Sequence, residues 1–191
     1  MKAVLFRTPR GLSGLSQQGQ IFYGYVRSST SALGARRPSR DARVMNSVTA
    51  KAEIGGLLDR YLLGLDDEKL DDDWARALFT DDARVEFPMA RHEGIGGLAD
   101  WHRRALDAFA RTQHLNSPAV VDLTGDERAV LRANLVSTHV HHPDAPGDPL
   151  FVSGTLVRGA ARRTGAGWRL TELSFQLVWS TGSPPRPAGA R

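Results

Sequence analysis

"YLLGLDDEKLDDDWARALFTDDARVEF", residues 61–87, is the stretch on which the fold turns. Its start closes an apolar helical run. Ile54, Leu57, Leu58, Tyr61, Leu62 and Leu65 recur at three- and four-residue spacing, one face of an amphipathic helix, and Ser47 or Thr49 can cap its start. The acidic "DDEKLDDD" reads as a loop whose last Asp residues can cap a second helix, "WARALF". "ARVEFP" is then a short strand ended by Pro88, which has no N–H for a ladder. Asp66 is the odd residue. A carboxylate near a helix C-terminus faces the negative end of the macrodipole. Either it opens a solvated loop, among five other acids, or it points into a pocket and works there.

Downstream, "EGIGG" is a loop, and a third helix carries Leu98, Trp101, Ala105, Leu106 and Phe109 on one face. Strands follow at roughly 118–124, 128–141, 150–163 and 167–180. "TGDE" and "TGAG" are turns between them, and "HHPDAPGDP" is a longer hairpin loop. Ala129, Leu131, Ala133, Leu135, Ser137 and His139 alternate strictly, so they share one strand face. Strands grouped after helices predict an α+β fold: a cone-shaped, curved antiparallel sheet wrapped on three N-terminal helices. Such a cone encloses a pocket suited to a small apolar ligand.

Charge divides the chain. The 191 residues have a net charge of +4 and a pI of about 9.9. Residues 1–45 hold eight Lys/Arg and one acid, +7; the rest holds 17 basic and 20 acidic residues, −3. Basicity therefore belongs to a Ser-, Gly- and Arg-rich leader, and no phosphate-binding groove or nucleic-acid partner is expected in the folded part. The leader, 1–45, is expected to be disordered. It reads as a transit peptide, a flexible tail, or an upstream extension with Met45 as the natural start. The last is preferred because "MNSVTAKAEI" runs directly into a helix. The cone domain is expected over 46–182, with a flexible Pro-rich tail over 183–191.

There is no cysteine, which excludes disulfides, thiolate metal sites and cysteine nucleophiles. No apolar run approaches 18 residues, so no membrane partner is expected; the expected location is cytoplasmic unless residues 1–45 address the chain elsewhere. Walker, dinucleotide and nucleophile-elbow motifs are absent. His114, His139, His141 and Asp66 include metal-ligand types, but no close helical pair joins them, and neither metal nor cofactor is expected.

Three stretches together resemble the nuclear transport factor 2-like superfamily, in its SnoaL-like (polyketide-cyclase-like) branch. They are residues 61–87, "RTQHLNSPAVVDLTGDERAVLRANLVSTHV" (111–140) and "GTLVRGAARRTGAGWRLTEL" (154–173). The likeness spans about residues 47–182. Members include dehydratases, isomerases, cyclases, hydrolases and non-catalytic binders. Tyr61, Asp66 five residues later, and His114 before the first long strand are similar to bile-acid 7α-dehydratase. Asp66, His114 and His139 are similar to scytalone dehydratase. Leu65 and Phe87 stand where scytalone dehydratase has two water-holding tyrosines, and Ser137 stands near the bile-acid enzyme's second Asp.

The resemblance implies a homodimer and cofactor-independent acid–base chemistry of the dehydratase, isomerase or cyclase type on a small, mainly apolar cyclic metabolite. His114 would move the proton. Asp66 would orient it, with a pKa raised by burial and the helix end; Asp67 replaces it if the register is off by one. Tyr61 would hydrogen-bond a substrate oxygen, and His139 would serve as second acid or polar clamp. Phe87, Trp101, Leu65 and Ser137 would line the pocket. His102 reads as a packed or rim histidine. A non-catalytic ligand-binding or assembly module of the same fold is the alternative.

Overall fold

Ser39 starts the first helix: its hydroxyl accepts a bond from the Ala42 N–H at 3.2 Å. The structure, a computed structural model, describes residues 39–67 and 69–184. The chain runs α1 (Arg40–Asp66), α2 (Asp72–Leu78), β1 (Phe79–Phe87), β2 (Ala90–Glu93), α3 (Leu98–Leu106), β3 (Arg111–Asn116), β4 (Val120–Leu123), β5 (Arg128–Val140), β6 (Leu150–Thr164) and β7 (Gly167–Gly182). Residues 40–45, assigned above to a disordered leader, are the first turns of α1. Neither Ser47 nor Thr49 caps it, because the cap lies eight or more residues earlier. The leader up to residue 38 lies outside the described residues, as does the tail from residue 185. Ser183 is held, its carbonyl bonded to the His141 ring at 2.8 Å.

Helix α1 buries Ala50, Ile54, Leu57, Leu58, Tyr61, Leu62 and Leu65, the stripe that the spacing predicts. It packs against β3, β4 and β7. Asp71 caps α2, accepting from the Trp74 N–H at 2.7 Å. Trp74 then lies against Gly64 of α1, where an added Cβ would sit 2.2 Å from the indole nitrogen. The glycine is needed for that close approach.

The strands form one curved, unclosed sheet in the order β2-β1-β7-β6-β5-β3, with β4 also paired to β5. The sheet is mixed, which corrects the antiparallel expectation: β1 runs parallel to β7, and the other pairings are antiparallel. The parallel pair joins segments far apart in the chain, and Arg84 ties it to Glu172 at 2.7 Å. Two register shifts in the β6–β7 ladder, at Gly154/Thr155 and Ala160/Ala161, mark bulges of the kind that bend a sheet. Strand β5 alternates exposed and buried from Arg128 to Ser137, as its sequence predicts. Strands β2 and β3 were not expected. Among the described residues no helix is long and apolar enough to cross a membrane.

Candidate functional site

The site forms where the end of α1 meets β3. Inward side chains of β3 are Thr112, His114 and Asn116, alternating with the exposed Arg111, Gln113 and Leu115. All three reach α1. Asn116 donates to Asp59 at 2.9 Å. Thr112 donates to Asp66 Oδ1 at 3.0 Å. The His114 backbone N–H donates to Asp66 Oδ2 at 2.8 Å, and its ring Nδ1 lies 2.6 Å from Asp66 Oδ1. The carboxylate at the unfavourable end of a helix is thus held by three donors from one strand. Asp67 is the C-cap of α1, and its backbone N–H bonds Leu63, so Asp66 is the acid that faces β3.

Burial alone pushes the Asp66 carboxyl up, but hydrogen bonds from the His114 ring and backbone, the His114 charge and the Thr112 hydroxyl outweigh it. The net shift is downward. This corrects the expectation of a raised pKa: Asp66 is a fixed negative charge near neutral pH. Its partner's side chain is only 6% exposed. An ionised carboxylate only accepts, so the His114 ring donates from Nδ1, and the neutral form of the ring has its lone pair on Nε2, the geometry of a general base.

His114 borders a cavity of about 490 Å³, whose walls also carry Leu65, Phe87, Trp101, Ser137 and His139. Strand register explains the grouping. On β5, Ser137 is the cross-strand partner of His114, and His139 that of Thr112. The His114 and His139 rings are 5.7 Å apart and nearly perpendicular. His139 packs on Phe109 at 4.4 Å, and its Nδ1 donates to the Phe151 carbonyl at 3.3 Å. Burial, then the neighbouring His114 charge, pushes His139 down to about 4. It is neutral near pH 7 with Nε2 as an acceptor, which suits a polar clamp and not an acid.

Tyr61 is placed elsewhere. It is completely buried among Trp74, Phe79 and Phe175, and its hydroxyl is 2.8 Å from His102 Nε2. His102 Nδ1 bonds the Leu98 carbonyl at 2.8 Å, which fixes Nδ1 as donor and Nε2 as acceptor. The Tyr61 hydroxyl therefore donates to His102 and not into the cavity. His102 is 3% exposed, yet borders the cavity, and burial pushes it down to about 4. His141 is turned to Ser183 and His142 to Asp107.

Sequence reasoning overlooked Thr112, Ser153, Thr155 and Phe151. The alternation in "RTQHLN" could have found Thr112, since it shares parity with His114. Among the described residues, no group of three His, Asp or Glu side chains is placed to hold a metal.

The SnoaL-like domain model matches residues 46–174. A search of curated proteins finds no match. Solved structures that share the fold include the following three. A scytalone dehydratase candidate from Novosphingobium aromaticivorans is 18% identical, with a TM-score of 0.65 over 78% of this chain and 99% of that one. The hexachlorocyclohexane dehydrochlorinase LinA-type3 from Novosphingobium barchaimii is 13% identical, with a TM-score of 0.64 over 77% and 96%. A nuclear transport factor 2-like superfamily protein from Salmonella enterica is 18% identical, with a TM-score of 0.58 over 75% and 96%. At these identities the likeness establishes architecture and not chemistry.

Proposed function

This chain belongs to the SnoaL-like domain family of the nuclear transport factor 2-like superfamily, and from that premise we propose that it is a cofactor-independent lyase or isomerase. Its substrate is a small, mainly apolar cyclic compound held in the cavity. The observation that carries the reading is the 2.6 Å contact between His114 Nδ1 and Asp66 Oδ1 beside a largely apolar cavity. A buried imidazole paired to a fixed carboxylate on one nitrogen and open on the other is built to take a proton.

In the forward step, Nε2 of His114 removes a proton from carbon next to a carbonyl. Asp66 stabilises the imidazolium that forms. The C–H electron pair moves into an enolate. In the lyase form a β-hydroxyl then departs as the C=C bond forms, and the imidazolium gives it the proton, releasing water; in the isomerase form no group leaves and the imidazolium returns the proton to another carbon. Two proteins of like architecture are described as a dehydratase and a dehydrochlorinase. Both names denote elimination across a carbon–carbon bond, which favours the lyase form. His139, neutral and accepting at Nε2, clamps a ligand hydroxyl.

The exposed Leu115, Val136 and Trp179 project from the sheet face opposite His114, Ser137 and Ser153. Such a face favours association with a second copy.

A panel of cyclic β-hydroxyketones in D₂O tests the reading. Deuterium should enter beside the carbonyl, or the enone should form, with the native chain and not with His114→Ala. Exchange at equal rates in both would overturn it. The second reading, a non-catalytic ligand-binding module, is favoured by Leu65 and Phe87 on the cavity wall and by the commitment of Tyr61 to His102. It predicts binding without exchange.

A further inference from the structure

Strands β5 and β6 set arginines opposite one another on the outer face of the sheet. Arg132 pairs with Arg158, and four residues earlier on β5 Arg128 pairs with Arg162, which pairs in turn with Arg169 of β7. Arg128, Arg132 and Arg158 are exposed. On β5 the arginines alternate with the buried Ala129, Leu131 and Ala133, so they stand on the face opposite the core. Like charges directly opposite across an antiparallel pair are destabilising. A surface chosen only for stability would set an acid in one place of each pair. Neighbouring arginines show that arrangement: Arg84 bonds Glu172 at 2.7 Å, and Arg162 bonds Asp82 at 3.0 Å. Arg169 donates to the Arg76 carbonyl at 3.0 Å. Arg128, Arg132 and Arg158 have no ion-paired or side-chain hydrogen-bonded partner among the described residues.

The row between the two arginine rows differs in character. Val130 faces Ala160, with Asp122 of β4 beside Val130 and Glu172 of β7 beside Ala160. Strand residues rise about 3.4 Å each, so the arginine rows are roughly 14 Å apart along β5, with the Val130 row midway. An extended chain laid along β5 presents every second side chain to this face, and its positions i and i+4 fall over the two arginine rows. A carboxylate at either position meets guanidinium groups whose fork suits two parallel N–H donations. A carboxylate at i+2 meets Asp122 and Glu172 and is repelled. A helix puts i and i+4 only about 6 Å apart and reaches one row. The apolar patch at Val136 begins four residues beyond Arg132, so the arginine rows lie outside it.

We propose that the outer face of β5 and β6 docks an extended acidic segment of a partner protein, with carboxylates four residues apart and an apolar residue midway between them. Those carboxylates supply the counter-charges that Arg128, Arg132 and Arg158 lack among the described residues. The chain's own acidic run, Asp71, Asp72 and Asp73, caps and opens α2 and has no such extended spacing, so a second copy does not supply the segment. The docking face is separate from the cavity and independent of its acid–base chemistry.

The test titrates two capped synthetic peptides of equal composition, TETVTET and TETETVT, into the full chain at low ionic strength, where surface charge is least screened. Binding is read from backbone amide shifts. TETVTET should shift Val130, Arg132 and Arg158 and bind about threefold or more tightly than its isomer, since an exposed ion pair contributes up to about fivefold. Arg132→Thr/Arg158→Thr should abolish that preference. Arg158→Thr should also raise the urea midpoint, because it relieves a like-charge pair; an arginine that supports the fold would lower it. Equal binding of the two peptides by the native chain, no shifts on β5 and β6, an unchanged preference in the double variant, or a lowered midpoint would each overturn the proposal. So would sedimentation in which the native chain self-associates and the double variant does not, which would assign the arginine rows to a second copy.

Discussion

Asp66 Oδ1 and His114 Nδ1 lie 2.6 Å apart although 48 residues separate them in the chain. The contact closes only because α1 ends where β3 begins its pairing with β5. Helix end, strand direction and carboxylate are one arrangement: the same Asp66 accepts from the His114 ring, the His114 backbone and Thr112.

Asp66→Asn should separate orientation from fold. The amide can donate, so it no longer dictates which imidazole nitrogen carries the proton. Nitrogen-15 shifts should show His114 with its proton on Nδ1 in the native chain and a mixed population in the variant. Deuterium exchange should fall by about 10²-fold or more, the usual range for acid–base assistance. Unchanged shifts and exchange would remove Asp66 from the mechanism.

His102 makes stability pH-dependent. It is pushed down to about 4 in the folded chain, against roughly 6.5 unfolded. Between those values the unfolded chain binds a proton that the folded chain does not. Stability is therefore full near pH 7, falls as pH drops toward 4, and stops falling below that. From pH 7 to 5 the loss from this residue should be about 2 kcal/mol. His102→Gln, compared with the native chain in urea unfolding at both pH values, should lack that part of the slope.

Asp66 acts at lower pH. Its folded pKa is depressed, so its contribution is present above the ordinary carboxylate range and is lost as pH falls through the folded value. Asp66→Asn should unfold with a shallower acid dependence below about pH 4. A native chain with no steeper acid limb than the variant would contradict the bonded geometry.

Tyr61→Phe should cost stability and spare the site. Removing the hydroxyl leaves His102 Nε2 buried without its donor, worth about 1–3 kcal/mol. Urea unfolding should record that loss while ligand affinity stays unchanged. Lost affinity at full stability would restore Tyr61 to the cavity.

Gly64→Ala sets two effects against each other. Alanine gains about 1 kcal/mol in helix propensity. Its Cβ would meet the Trp74 indole at 2.2 Å, and overpacking of that kind costs about 1–3 kcal/mol. The net sign should be destabilising, with a shifted tryptophan emission reporting displacement of Trp74.

Local periodicity determined a good deal. The α1 stripe, the Asp-capped α2, the strand stopped by Pro88 and the alternation of β5 up to Ser137 are each read within a dozen residues, because burial imposes its period directly on neighbouring side chains. The stretches that resemble the family added the choice of Asp66, His114 and His139. Strand β3 escaped notice because the site itself occupies its inward face: Thr112, His114 and Asn116 replace the apolar residues that would announce a strand. The start of α1 at Arg40 was hidden by a basic, Ser-rich composition that a single cap at Ser39 overrides.

Tertiary structure alone decided the rest. The parallel β1–β7 pair joins segments far apart in the chain, Arg84 opposite Glu172, and no local pattern encodes a partner at that distance. Tyr61 was turned from ligand to core by His102, 41 residues away. The Asp66 pKa moved down because three donors outweighed a desolvation that sequence could foresee. The cross-strand row of His114, Ser137, Ser153 and Ser180 exists only across four strands in register. Sequence specifies which side chains a local element will bury; which of them meet, and with what charge, depends on long-range register, and hydrogen bonding settles it there.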